Sequence, residues 1–199
     1  MLSIPSKLME SCVTSNITNH VVIQNLLANR QWAFRKGQST AQLLIHLTER
    51  WREAVERKLF GGILFVDFTK AFDTVSRNIL LQKLNDRGIR GDIWLWLKNY
   101  LTEQRQFVRI NRSDADTPII AHGVPQGLVL GLTLFSLFTN DLPKSLRSVE
   151  TYLYAEDTTI YCIAETMDLL TNSVNNVLAE LQEWCDRNST VPHPEKCKQ

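Results

Sequence analysis

The stretch that most limits what this chain can fold into is Ile63-Leu64-Phe65-Val66-Asp67-Phe68. Gly61-Gly62 break whatever helix precedes it, and the unbroken apolar run predicts a strand buried on both faces. That strand ends in a carboxylate. An unpaired carboxylate in such a place costs on the order of several kcal/mol even after relaxation. Asp67 therefore needs a lysine partner (Lys70 lies just beyond), a capping role or a metal. Asp73, six residues on, has a bland reading as a helix cap or surface acid. A second carboxylate stretch lies far downstream. In Tyr152-Leu153-Tyr154-Ala155-Glu156-Asp157-Thr158-Thr159-Ile160-Tyr161, two aromatic and β-branched runs flank adjacent acids, which predicts a β-hairpin with its acids at the tip. Two neighbouring acids repel and gain nothing from packing, so a cation is expected there; Glu-Asp is equally an ordinary solvated turn.

Between and around these stretches the chain reads mostly as helix. Leu8, Val13, Ile17, Val21 and Val22 predict a helix from Pro5 to about Asn29. Arg35-Lys36-Gly37-Gln38-Ser39-Thr40 form a basic loop, and Ser39 or Thr40 can cap the next helix. Leu43, Leu44, Leu47, Trp51, Ala54 and Val55 recur at three and four and predict an amphipathic helix to about Lys58. Its charged face, Arg50, Arg52, Glu53, Glu56 and Arg57, reads as a solvated face. Ile79, Leu80 and Leu84 predict a short helix stopped by Gly88, and Ile93, Trp94, Leu97, Tyr100 and Leu101 another. Gln106–Ile110 and Ile119–His122 read as strands joined by a polar connection. Gly123-Val124-Pro125-Gln126-Gly127 is a rigid turn leading into Leu128–Phe138, apolar nearly all round and so an internal helix ended by Leu142-Pro143. Leu169, Leu170, Val174, Val177, Leu178, Leu181 and Trp184 define the last amphipathic helix.

Composition narrows the function classes. Across 199 residues, 44% apolar and 22% charged residues describe a globular chain able to bury a full core. A net charge of +1 leaves no global field for nucleic acid, so any such binding rests on local basic patches. Cys12, Cys162, Cys185 and Cys197 contain no Cys-x-x-Cys pair and read as free thiols; Cys185, His193 and Cys197 are too loosely spaced for zinc. The opening residues lack a signal-peptide core, and Leu128–Phe138 is too short to span a bilayer. The expectation is a soluble chain of the nucleus or cytoplasm.

Strands and helices in this order predict an α+β domain, a small antiparallel sheet backed by helices. A hairpin carrying acids beside a strand ending in an acid would gather three carboxylates, the ligand set of two-metal phosphoryl transfer, with ions roughly 3.5–4 Å apart. Mg²⁺ takes such hard oxygen ligands, usually one or two carboxylates plus substrate phosphates.

Several ordered stretches then share one resemblance. Ser6-Lys7-Leu8-Met9-Glu10-Ser11, Trp32-Ala33-Phe34-Arg35-Lys36-Gly37-Gln38-Ser39-Thr40, Phe65-Val66-Asp67-Phe68-Thr69-Lys70-Ala71-Phe72-Asp73, Gly123-Val124-Pro125-Gln126-Gly127 and Tyr154-Ala155-Glu156-Asp157 resemble, in order, motifs of the reverse transcriptase domain of non-LTR (LINE-type, jockey-like) retrotransposons. The similarity runs over nearly the whole chain. It implies a polymerase palm, residues 61–199, with a partial, fingers-like N-terminal part, residues 1–60, and no thumb. It implies RNA-directed DNA synthesis on an RNA template, with a DNA primer, dNTPs and two Mg²⁺ ions, for which Mn²⁺ can substitute. By the same resemblance Asp67, Glu156 and Asp157 are the catalytic metal ligands. Phe72 lies under the incoming sugar and excludes a 2′-hydroxyl. Gln126 contacts the nucleotide, with Pro125 and Gly127 shaping its loop. Arg35 and Lys36 grip the triphosphate, and Lys196 is a candidate proton donor to pyrophosphate.

The departures matter too. The family has two aspartates where this chain has Glu156-Asp157, serine where it has Leu128, and proline where it has Leu132. The chain also ends after the palm, with no endonuclease or RNase H region. Together these imply an impaired enzyme, a decayed copy or a fragment. Alternatives are a catalytically dead nucleic-acid-binding remnant and another palm-type polymerase, such as a group II intron maturase or a telomerase-like protein.

Overall fold

The computed structural model describes residues 4–33, 35, 37–102, 109–110, 113–114, 122–125, 129–193 and 197. Its elements are, in order, α1 (Ile4–Ile23), α2 (Thr40–Glu56), β1 (Phe60–Val66), α3 (Arg77–Asp86), α4 (Gly91–Thr102), β2 (Arg109–Ile110), β3 (Ser113–Asp114), α5 (Val129–Thr139), α6 (Leu142–Ser145), β4 (Glu150–Tyr154), β5 (Asp157–Ala164) and α7 (Met167–Asn188). They form two compact units, Met1–Leu26 with Phe72–Leu137, and Leu27–Ala71 with Phe138–Gln199. No helix among the described residues is long and apolar enough to cross a membrane.

The first unit is a helical assembly. Val13, Ile17 and Val21 of α1, Leu80 and Leu84 of α3, and Leu97 and Leu101 of α4 are buried. The predicted stripe on α1 is narrower than its apolar residues, since Leu8 and Val22 face solvent. The helix also stops at Ile23 rather than near Asn29, because Asn25 takes a left-handed φ of 48°. Two polar contacts tie it down: the Tyr100 hydroxyl donates to Glu10 Oε1 at 2.7 Å, and the His20 ring meets the Arg87 carbonyl at 3.0 Å. Gly88 (φ 81°) ends α3 as predicted, with the Ile89 amide donating back to the Leu84 carbonyl. The strand pairing differs from expectation: Arg109 and Ile110 pair with Asp114 and Ser113, inside the predicted polar connection. Residues 119–121 lie outside the described set, and His122 bridges Ser76 instead.

The second unit is built on an antiparallel sheet of order β1-β5-β4. Helix α2 covers one face, where Leu43, Leu47 and Ala54 pack with Tyr152 and Tyr161. Its start is a capping box: Ser39 Oγ accepts from the Gln42 amide, and Gln42 Oε1 accepts from the Ser39 amide. Leu44 and Val55, predicted on the apolar stripe, are exposed. Helix α7 packs on β1 and β5 through the opposite face, burying Leu170, Val174, Val177, Leu181 and Trp184; Leu169 and Leu178 point outward. Trp184 anchors this side. Its ring meets those of Phe68 and Phe138, and its indole N–H donates to Asp141 Oδ1 at 3.2 Å.

Two expectations need correction here. Strand β1 is an edge of the sheet, and Phe65 is 48% exposed, so the strand is not buried on both faces. Alternation sends Ile63 and Phe65 to the α2 side and Leu64 and Val66 to the α7 side, and Phe65 faces a cleft that Leu43 and Leu47 of α2 wall from the other side. Leu142-Pro143 does not end the internal helix either: the chain turns at Asn140-Asp141, and Leu142-Pro143 opens α6. Helix α5 itself is internal as predicted, with Leu130, Leu134, Phe135, Leu137 and Phe138 buried. All four cysteines are free thiols; burial pushes Cys162 up and Cys185 to about 12.

Candidate active site

The hairpin forms as the sequence predicts. Tyr154 and Asp157 close it, and Ala155 and Glu156 make a two-residue turn in which Ala155 takes a left-handed φ of 55°. Asp157 is thus the first residue of β5, and Glu156 is the exposed corner. The β1–β5 ladder runs from Phe60 opposite Ala164 to Val66 opposite Thr158. Asp67 and Asp157 each lie one residue beyond that last pair, and strand alternation carried one step further assigns both side chains to the α2 face. Residues 90 positions apart in the chain thus flank the same end of one ladder.

That end is held from the far side of β1. The His193 amide donates to the Asp67 carbonyl at 2.7 Å, the Thr69 amide donates to the Val191 carbonyl at 2.9 Å, and Phe68 bridges Pro192. The segment after α7 so continues the sheet beside Asp67 and fixes its backbone where the strand itself stops.

Asp67 and Asp157 open onto a cleft of about 670 Å³ lined by Leu43, Leu47, Trp51, Phe65, Tyr152 and Thr159. This cleft is the reason Phe65 is exposed. Among the described residues no group of three or more His, Cys, Asp or Glu side chains is gathered to hold a metal ion. Two opposed carboxylates with an apolar wall do fit a hard cation that also takes phosphate oxygens from a substrate; Glu156 is not drawn into the same group. Arg35, also in this unit, folds back on its own segment, its Nη1 donating to the Ala28 carbonyl at 3.2 Å.

In the first unit, residues 72–75 and the Gly123-Val124 turn are joined. The Val124 amide donates to the Phe72 carbonyl and the Gly123 amide to the Val75 carbonyl, each at 2.8 Å. Gly123 adopts φ 92°, and a Cβ there would lie 2.8 Å from the Asp73 carbonyl oxygen. The turn before Pro125 is therefore seated on residues 72–75. Phe72 is buried, its ring 4.6 Å from that of Phe135. Asp73 is exposed and does not cap α3, whose N-cap is Ser76. Lys36, Gln126, Gly127, Leu128 and Lys196 lie outside the described residues.

Two residues of consequence were not singled out by sequence. Buried Arg77 donates from Nε to the Gly123 carbonyl at 2.9 Å, and burial lowers its pKa. Glu150 collects Arg30, Arg50 and Tyr152. Neither carries a local signal: one reads as a helix-start cation, the other as a strand-end acid.

Comparison with known proteins agrees with this geometry. The family model described as reverse transcriptase (RNA-dependent DNA polymerase) matches residues 1–199. "Probable RNA-directed DNA polymerase from transposon BS" of Drosophila melanogaster is 29% identical over 203 residues, covering 98% of this chain and 22% of that protein. The RNA-directed DNA polymerase from mobile element jockey of the same organism is 28% identical, covering 96% and 22%. The chain thus spans about a fifth of the length of these relatives. Among solved structures, telomerase from Candida albicans superposes with a TM-score of 0.69 at 12% identity, covering 94% of this chain and 34% of that one, a likeness of fold. The chain belongs to the reverse transcriptase family, in company with the RNA-directed DNA polymerases of transposons.

Proposed function

We propose that this chain carries the nucleotidyl-transfer centre of a mobile-element reverse transcriptase, with residues 1–60 as fingers and 61–199 as palm. The observation that supports it is that Asp67 and Asp157, each one residue beyond the last β1–β5 pair, line the same cleft. The substrates are an RNA template, a DNA primer and a dNTP. The primer 3′-hydroxyl attacks the α-phosphorus, its proton leaves, and the bond to pyrophosphate breaks. Two Mg²⁺ or Mn²⁺ ions, when bound, supply the positive charge that favours the attacking oxygen and the leaving pyrophosphate. Asp67 and Asp157 would hold that charge at the end of the sheet, and Glu156, outside that pair, would join as a third, longer carboxylate only if the hairpin shifts. Arg35 and Lys36 draw in the triphosphate, which suits a guanidinium fork. Phe72 excludes a 2′-hydroxyl, and Pro125, Gln126 and Gly127 shape the nucleotide's seat.

Glu156 makes the enzyme weak. Its extra methylene displaces the carboxylate by about one bond, and misplacement near 1 Å can cost ~10²-fold. The test is single-nucleotide extension of an RNA-templated DNA primer with Mg²⁺ or Mn²⁺. Low metal-dependent extension is expected, raised about 10–100-fold by Glu156→Asp and abolished by Asp67→Ala. Extension that survives Asp67→Ala would overturn the assignment. Its complete absence, even after Glu156→Asp, would favour a catalytically dead remnant.

A further inference from the structure

The second unit contains a joint that the catalytic motifs do not account for. Glu150, at the base of β4, receives Arg50 of α2 through Nε (3.1 Å) and Nη2, Arg30 through Nη1 (3.1 Å), and the Tyr152 hydroxyl. Three separate chain segments therefore converge on one carboxylate. Arg30 opens a short run that lies parallel to β4: the Leu153 amide donates to the Arg30 carbonyl at 3.0 Å, and the Trp32 amide to the Leu153 carbonyl at 2.8 Å.

The same convergence repeats two residues along both strands and one turn back along the helix. The His46 ring lies 3.2 Å from the Tyr152 hydroxyl and packs against the Trp32 ring at 5.8 Å. Tyr152 gives its one proton to Glu150, so its oxygen accepts from His46 Nε2–H. Strand period two and helix period four thus stack two three-way joints: Arg30, Arg50 and Glu150, then Trp32, His46 and Tyr152. The next strand residue on that face, Tyr154, packs on the same cluster and is followed by the tip. On the second segment, Trp32 is followed by Arg35 and the basic loop that Ser39 ends.

We propose that Glu150 is a positioning residue, its carboxylate locking α2, the Arg30–Trp32 run and β4 together and so fixing where Arg35, three residues beyond that run, stands relative to the Glu156-Asp157 tip. The choice of chemistry supports this. Cohesion alone is supplied equally well by apolar side chains, whereas a guanidinium fork on a carboxylate fixes orientation. Burial pushes the Glu150 carboxyl up, but the hydrogen bonds from Arg50 and Tyr152 and the ion pair with Arg30 outweigh it and hold the group at about 2, so the lock stays charged at any physiological pH. The role rests on the polymerase reading above, in which Arg35 meets the triphosphate and the tip holds the metal.

The experiment measures dTTP binding with Mn²⁺ by equilibrium dialysis, binding of Mn²⁺ alone, and amide exchange in the unaltered chain, Glu150→Gln and Arg50→Lys. Arg50→Lys keeps the charge but loses the fork, sits outside the lining of the cleft, and covers the case in which Glu150→Gln fails to fold. Loosening the joint should weaken Mn²⁺-dependent dTTP binding about tenfold while Mn²⁺ alone binds nearly as before. Exchange of the Trp32 and Leu153 amides should rise about tenfold, with Ile160 in β5 unaffected. Full dTTP affinity in both variants, with only a lower melting temperature, would reduce Glu150 to a stabilising ion pair. No Mn²⁺-dependent dTTP binding by the unaltered chain would defeat the polymerase reading and this role with it.

Discussion

Gly123→Ala is the sharpest test of how the turn before Pro125 is seated. Two costs fall on the new methyl. At φ 92° an L-residue is strained by about 1–3 kcal/mol. Its Cβ would also lie 2.8, 3.0 and 3.1 Å from the carbonyl oxygen, Cα and carbonyl carbon of Asp73, all backbone that cannot swing aside. Overpacking of this kind adds about 1–3 kcal/mol. Gly88→Ala, in the same unit, is the control: φ is 81°, but the nearest atoms are His20 ring atoms at 3.5 and 3.6 Å, ordinary contact. The two substitutions share the backbone cost and differ in the clash. Thermal melts followed by circular dichroism should place Gly123→Ala below Gly88→Ala by roughly 2–12 °C, from 2–4 °C per kcal/mol in a chain of this size. Equal melting temperatures would refute the argument that residues 72–75 form the seat of the turn.

Two further outcomes follow from the structure. Phe72→Val should lower the melting temperature, because the ring packs on Phe135 and truncating a buried aromatic costs up to about 3–5 kcal/mol; if Phe72 also guards the sugar, ribonucleotide incorporation rises relative to deoxynucleotide in primer extension, and an unchanged ratio leaves it a packing residue only. Glu150, depressed to about 2 in the folded chain, contributes stability that is complete above the ordinary carboxylate range and lost as pH falls toward 2, on the order of 1 kcal/mol after solvent screening of a partly exposed group. Urea melts from pH 6 to pH 3 should lose less stability in Glu150→Gln than in the unaltered chain, and parallel losses would contradict this.

What could be read from residues alone was local. The Ser39–Gln42 capping box, Gly88 beyond α3, the all-round apolar α5 and the hairpin at Glu156-Asp157 each carry their reason within a few positions. Phe65 was misread because an apolar run looks the same in a doubly buried strand and in an edge strand walling a cleft. Glu150 escaped notice because Arg50 lies 100 residues away from it, and Arg77 because its acceptor is a backbone carbonyl 46 residues on. Pairwise chemistry across such distances appears only once the sheet register is known. The placing of Asp67 near Asp157 was reached by sequence in two ways: an acid-tipped hairpin set beside an acid-ended strand, and the resemblance that makes both residues metal ligands.

That placing is the centre of the account, and Mn²⁺ binding measures it without any need for turnover. Electron paramagnetic resonance of free Mn²⁺ gives the affinity of the unaltered chain, Asp67→Ala, Asp157→Ala and the double variant. If both carboxylates hold one ion, each single substitution weakens binding by about tenfold or more, and the double variant is little worse than either, the non-additivity of groups that share a partner. Near-normal affinity in either single variant, or losses that simply add, would contradict a shared site at the end of the β1–β5 ladder.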